Sequence, residues 1–194
     1  GGHALGILNA SKPEGQLLGF DLDPQALALA RETLAPHEQR TLLVQRSYTK
    51  LSETLQENQW PLVNGIVLDL GASSMQFDTP ERGFSFREDA PLDMRFGPEV
   101  TESAADIINT YSEAELAEII FRYGEERASR RIAKAIFRKR PIRTTFELAT
   151  LISTVIPRKG KRVHPATRTF QALRIAVNDE LGSIEKVLPQ AVES

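Results

Sequence analysis

Residues 16–45 read QLLGFDLDPQALALARETLAPHEQRTLLVQ: two short apolar runs with one amphipathic stretch between them. Gln16–Phe20 and Thr41–Gln45 have the length and composition of strands. Between them, Asp23 can cap a helix and Pro24 suits its first turn. Ala26, Leu27, Ala30 and Leu34 share one face of that helix, which runs to about Ala35 before Pro36 stops it. Working outward, Thr49–Gln59 reads as a second helix and Ile66–Leu70 (IVLDL) as a third strand. The apolar runs are continuous rather than alternating, as in strands buried on both faces. Strand–helix–strand–helix–strand at this spacing predicts an α/β fold with a parallel, doubly wound sheet.

The chain has 194 residues, 41% hydrophobic and 26% charged, enough for one sizeable core with a smaller appended lobe. It has no cysteine, which excludes disulfides, thiolate zinc sites and a cysteine nucleophile. His3, His37 and His164 are scattered, so no histidine metal cluster is expected. No apolar run reaches the ~20 residues of a membrane span, and no secretory leader is legible at the start. The net charge of −2 hides an asymmetry. Residues 1–100 carry 8 Lys+Arg against 14 Asp+Glu, and residues 101–194 carry 16 against 12, which points the second half toward a polyanion.

From Gly71 to Glu99 no helical period is visible, and a loop of that length is usually functional. Phe84, Phe86, Leu92, Met94 and Phe96 argue that it is ordered. Residues 101–163 are helical in pattern. Ser112-Glu-Ala-Glu115 and Thr144-Thr-Phe-Glu147 are capping boxes, each followed by apolar residues at helical spacing. Between them a helix carries Ala128, Ile132, Ala135 and Ile136 on one face, and Pro157 ends the helix after the second box. Further helices are expected from near His164-Pro165 past Val177 and over about Ile184–Val192.

Parallel α/β sheets bind ligands beyond the carboxyl ends of their strands. Asp21 ends the first strand, 19 residues after Gly2, near the ~20-residue offset at which an acid takes a ribose hydroxyl. A helix-capping role would explain the same residue. Ser47 and Tyr48 follow the second strand, where an aromatic can face an adenine. Asp69 ends the third strand, two residues before Gly71, where backbone can approach a ligand closely. Arg127, Arg130, Arg131, Lys134, Arg138, Lys139, Arg140 and Arg143 form a run without one acid, and Arg158, Lys159, Lys161 and Arg162 form a second cluster. Such clusters supply the phosphate contacts of nucleic-acid binding, whereas a merely solvated face usually mixes signs. The segment lacks interleaved aromatics, which places base stacking elsewhere.

Leu68-Asp-Leu-Gly-Ala-Ser-Ser74 with Gln76, Glu81-Arg-Gly-Phe-Ser-Phe86, Pro91-Leu-Asp-Met-Arg95 and His164-Pro-Ala-Thr-Arg-Thr-Phe-Gln-Ala-Leu-Arg174 together resemble the MraW/RsmH family. That family comprises S-adenosylmethionine-dependent N4-cytosine methyltransferases of small-subunit ribosomal RNA, and the likeness covers essentially the whole chain. It implies a class I, Rossmann-like methyltransferase domain over 1–97 and 164–194, with an inserted all-helical lobe at 98–163 that contacts RNA. By the same resemblance, Gly1, Gly2 and His3 would lie along the methionine part of the cofactor. Asp21 would hold the ribose, Tyr48 would pack by the adenine, and Asp69 and Gln76 would complete the site. Asp69 or Ser73 is the group expected near the target amine; serines that only cap the loop are the alternative.

Against the family pattern the chain looks cut at both ends, lacking a first strand before Gly1 and further strands after Val192. The resemblance implies the small ribosomal subunit as partner, no membrane association and a bacterial cytoplasmic setting, with a mitochondrion or plastid as the alternative. Oligomeric state stays open, a homodimer included. The competing function is a non-catalytic RNA-binding module on a degenerate methyltransferase fold. A nicotinamide-dependent dehydrogenase has no place for the ERGFSF…PLDMR loop or the basic lobe.

Overall fold

Asp23 closes the first strand–helix junction. Its side chain accepts the Gln25 N–H at 3.0 Å, and Pro24 occupies the first helical position, where a missing N–H costs nothing. The computed structural model describes residues 1–60, 62–156 and 163–194. Helix α2 (Pro24–Leu34) buries Leu27 and Leu34. It connects β1 (Leu17–Asp21) to β2 (Thr41–Gln45), which pair in parallel from Leu17↔Thr41 to Asp21↔Gln45. Their carboxyl ends therefore lie side by side.

A helix that the sequence hides, α1 (Gly2–Ala10), precedes β1. Gly2 and Gly6 each cost about 1 kcal/mol of helix propensity, which masks the pattern. Tertiary packing overrides it: Leu8 is fully buried with Leu17 and Leu34. Helix α3 (Leu51–Glu57) follows a 3₁₀ turn at Tyr48–Lys50.

The expected third strand is not formed. Residues 66–70 have no strand assignment, and the sheet of the described residues has two strands, β1 and β2. Ile66, Val67 and Leu70 are 37%, 62% and 45% exposed. A strand is a pairing and not a property of its residues. The IVLDL run has strand composition, but no neighbouring strand offers it a ladder.

The chain divides into two compact units, one of residues 1–69, 97–99 and 181–194, the other of 70–96 and 100–180. In the first, most of α10 (Glu180–Glu193) packs Val187 against Leu51 and Leu55. Gln190 of α10 accepts the Ser52 N–H at 3.0 Å and donates to the Thr49 carbonyl at 2.9 Å, which pins the turn that carries Tyr48.

The second unit is helical. It comprises α4 (Ser74–Asp78), α5 (Ala104–Thr110), α6 (Glu113–Gly124), α7 (Ser129–Lys139), α8 (Thr145–Val155) and α9 (Thr167–Val177). Both expected capping boxes form, with Ser112 and Thr144 each accepting the N–H of the glutamate three residues on. Two more stand at Ser73/Gln76 and Ser103/Asp106. Helix α8 ends at Val155, and Pro157 lies outside the described residues. The core joins Ile108, Leu116, Ile120, Ile132, Leu148 and Leu173, each with a relative exposure of 0%. Helices α6 and α9 cross where Gly124 stands: a Cβ there would sit 2.4 Å from the Arg168 carbonyl oxygen.

The loop after Gly71 is ordered, as its aromatics predict. Phe84, Leu92 and Met94 are buried in the helical core. Met94 has a left-handed backbone, φ 65°. Such a conformation persists in a bulky residue only where its surroundings over-determine it. Here the Met94 N–H donates to the Arg82 carbonyl at 2.9 Å, and the Met94 carbonyl accepts Asn178 Nδ2–H at 2.8 Å. Asn178, just past α9, also accepts the Phe96 N–H at 2.7 Å.

Candidate functional site

Two candidate cofactor residues of the first unit, Asp21 and Tyr48, stand at or just past the carboxyl ends of β1 and β2. Asp21 is the last residue of β1 and is exposed there. Its Oδ1 accepts the Asp23 N–H at 2.8 Å, so it is the neighbouring Asp23, and not Asp21, that caps α2. Desolvation by the surrounding chain holds the Asp21 carboxyl above the ordinary aspartate range, outweighing the Asp23 N–H, and the charge of Asp23 adds to the rise. Tyr48 opens the 3₁₀ turn after β2 and is half-buried against the Leu51–Leu55–Val187 cluster.

Gly1 stands at the N-cap of α1 without a side-chain cap, and no acid occupies the first turn. His3, in that turn, is 66 positions from Asp69 in sequence, yet His3 Nδ1 lies 3.0 Å from Asp69 Oδ2. Both side chains are open, 74% and 76% exposed. Thus the glycine end and the 66–70 segment meet although that segment pairs with no strand.

Ser73 and Gln76 belong to the second unit. Ser73 Oγ accepts the Gln76 N–H at 3.3 Å, and Gln76 Oε1 accepts the Ser73 N–H at 3.0 Å. The two residues form the N-terminal capping box of α4, and Gln76 is buried. The S-x-x-Q spacing is the sequence signal for that arrangement. Gly71 has φ 106°, a backbone that side-chain-bearing residues rarely adopt. Its nearest side chain is Arg174, which is held by Glu180 through bonds of 2.8 and 3.1 Å.

The donor set suits S-adenosylmethionine. An ionised carboxylate has about four acceptor sites, so Asp21 keeps capacity for ribose hydroxyls beyond the Asp23 N–H. The uncapped first turn of α1 offers N–H groups to an anion such as the methionine carboxylate. Among the described residues, no group of three or more His, Cys, Asp or Glu could hold a metal ion. No described helix is long and apolar enough to cross a membrane.

The basic run lies on α7. Ile132, Ala133 and Ile136 turn inward, while Arg130, Arg131, Lys134, Arg138 and Lys139 are exposed, as is Arg127 just before the helix. Among the described residues, none of these six stands in an ion pair. Arg131 donates to the Val155 carbonyl at 2.9 Å and so also secures the end of α8. Arg140 points the other way, donating to the carbonyls of Ile108 and Tyr111. Arg158, Lys159, Lys161 and Arg162 lie outside the described residues.

A model of the MraW methylase family matches residues 1–194. The "Ribosomal RNA small subunit methyltransferase H" of Geotalea uraniireducens (strain Rf4) is 54% identical over 197 residues, covering 99% of this chain and 63% of the relative. The protein of the same name from Dehalococcoides mccartyi is 53% identical over 191 residues, covering 98% and 55%. That of Syntrophobacter fumaroxidans is 48% identical over 198 residues, covering 100% and 62%. The chain thus spans less than two thirds of the length of these curated relatives. With the family match running from its first residue to its last, this chain belongs to the MraW methylase family.

Proposed function

We propose that the protein to which this chain belongs transfers a methyl group from S-adenosylmethionine to the exocyclic N4 amine of a cytosine in small-subunit ribosomal RNA. The observation that carries this reading is the hydrogen-bond contact of His3 with Asp69, 66 positions apart, which joins the glycine end to the segment of the candidate amine acceptor. Family membership and the names of the relatives support the reaction class.

When bound, the cofactor supplies an electrophilic methyl on a positive sulfonium. Gly1, Gly2 and His3 would lie along its methionine end, Asp21 would accept the ribose hydroxyls, Tyr48 would pack by the adenine, and Asp69 and Gln76 would complete the set. The cytosine amine is a weak nucleophile because its lone pair delocalises into the ring. An acceptor set against its N–H localises that pair, and Asp69 is our choice for that acceptor. Ser73 Oγ, which accepts the Gln76 N–H as the α4 cap, keeps a second lone pair and is the second candidate. Positioning does the rest, since no covalent intermediate is required. The base must be unstacked or already single-stranded to be reached.

The helices of 98–163 form the RNA-contacting lobe in this reading, with α7 and the 158–162 segment on the phosphates. The class I fold, doubly wound, is completed by strands outside this chain that flank residues 66–70. The setting is the bacterial cytoplasm, that of the relatives' ribosomes.

The test is methyl transfer by the whole protein to small ribosomal subunits, read by mass spectrometry of RNA digests. We expect a methyl on a cytosine N4, abolished in Asp69→Ala. Methylation at carbon 5 or on ribose would overturn the reaction, and RNA binding without any transfer would favour the non-catalytic module.

A further inference from the structure

The basic run of α7 includes one aromatic, Phe137, so the expectation that it lacks interleaved aromatics does not hold. Arg130, Lys134 and Phe137 recur at i, i+4 and i+7, a spacing that sets all three on one face of the helix. All three are exposed, Phe137 to 49%, while Ile132, Ala133 and Ile136 fill the core on the other side. An exposed phenylalanine amid cations gains nothing from burial.

The ring is nevertheless held in place. The Arg140 guanidinium carbon lies 4.9 Å from the Phe137 ring centroid, within cation–π range. Arg140 is itself fixed by its bonds to the Ile108 and Tyr111 carbonyls. One side of the ring therefore rests on an anchored cation, and half the side chain remains open to solvent.

The other exposed phenylalanines of this unit are placed differently: Phe77 precedes Asp78 and meets the Phe84 ring edge-on. Phe146 precedes Glu147, and its N–H donates to Asp89. Phe121 lies on α6, where the adjacent Arg122 is turned to the Tyr123 ring.

We propose that Phe137 is a stacking platform for one unpaired base of single-stranded RNA, with Arg130 and Lys134 on the flanking phosphates. An anchored aromatic inside a basic stripe is the arrangement by which single strands are held without sequence readout, since every base has a π face. A duplex keeps its bases stacked inside and offers this ring nothing. The inference rests on the reading of α7 as an RNA-binding face and assigns it single strands in particular.

The test uses the full-length protein with two fluorescein-labelled probes, a 12-nucleotide oligo(U) and a 12-base-pair RNA duplex. Phe137→Leu keeps an apolar side chain and removes the aromatic face; Phe137→Trp keeps the aromatic. We expect Phe137→Leu to weaken oligo(U) binding about 5- to 140-fold, the equivalent of 1–3 kcal/mol for one stacked base. Its salt slope and duplex affinity should match the wild type, and Phe137→Trp should bind oligo(U) as the wild type does. An oligo carrying 5-iodouridine should photocrosslink to Phe137. Unchanged oligo(U) binding in Phe137→Leu, or an equal loss on the duplex, overturns the platform. If Arg130→Ala/Lys134→Ala leaves the salt slope unaltered, the RNA face itself is wrong and the platform falls with it. If that double variant flattens the slope while Phe137→Leu changes nothing, only the platform fails.

Discussion

His3 Nδ1 and Asp69 Oδ2 stand 3.0 Å apart, joining the first turn of α1 to the segment that ends at Leu70. Both side chains are about three-quarters exposed. An open pair of this kind contributes little to stability, because water competes for both partners. We therefore expect His3→Ala and Asp69→Asn to leave the thermal midpoint of the full-length protein within about 2 °C, consistent with the small effect of surface changes. Both should lower methyl transfer at least tenfold. A large drop in midpoint with normal specific activity would make the contact structural.

Asp21 gives a prediction with a pH sign. Calorimetry on Asp21→Ala should show cofactor binding weakened by about 1.5–3 kcal/mol for each charge-assisted hydrogen bond removed. Desolvation holds the folded pKa of Asp21 above its unfolded value, so ionising it opposes folding. That contribution is favourable below the unfolded pKa and is lost as pH rises through the folded one. Asp21→Asn should therefore be no less stable than wild type at neutral pH, while its cofactor affinity falls. In the wild type, affinity should begin to decline on acidification at a pH above the ordinary aspartate range. An Asp21→Asn protein that binds normally would remove the ribose assignment.

The exposed cations of α7 should act additively through counterion release. Arg130, Lys134 and Arg138 are the residues to replace, because Arg131 also holds the end of α8. The triple alanine variant should bind matched and unmatched RNA equally less well. Its salt slope should fall by about 0.7 for each phosphate of a single strand that the protein no longer neutralises. Cofactor affinity should be unaltered. Loss of target preference with an intact slope would mean that this helix reads bases.

Asn178→Ala removes the partners of the Phe96 N–H and the Met94 carbonyl together. Two bonds at about 1–2 kcal/mol each, one leaving a donor unsatisfied, give an expected loss of about 2–4 kcal/mol in denaturant titration. Asn178→Asp should cost less at the Phe96 N–H, which it can still satisfy, than at the Met94 carbonyl, which it cannot. A loss below about 0.5 kcal/mol, ordinary for a surface change, would show that the loop holds itself.

The local signals in the sequence are reliable where one residue sets the geometry. Asp23 with Pro24 starts α2, and Ser112 and Thr144 with their glutamates start α6 and α8. The α1 helix is obscured by two glycines, and only the burial of Leu8 reveals it. The IVLDL run shows the converse: strand composition without a partner gives no strand. At the site, strand-end position and resemblance point to His3, Asp21 and Asp69, but nothing in the sequence couples His3 to Asp69. Ser73 and Gln76 are legible through the resemblance, whereas their S-x-x-Q spacing marks a capping box. Phe137 stands within the basic run of the linear sequence, between Lys134 and Arg138, against the expectation that the run lacks aromatics; the helix adds that it shares a face with Arg130 and Lys134.

The left-handed turn at Met94 has a consequence for the order in which the chain acquires its structure. Its anchor, Asn178, is 84 residues away in sequence, and closing so long a separation comes with a large entropy cost that only a docked α9 offsets. Residues 91–96 carry no regular ladder of their own, so their backbone is held by distant partners: Arg82, Arg143 and Asn178. The amide hydrogen of Phe96, held by Asn178 alone among the described bonds, becomes a native reporter of α9 docking: its exchange rate tracks the opening of a helix that it does not belong to.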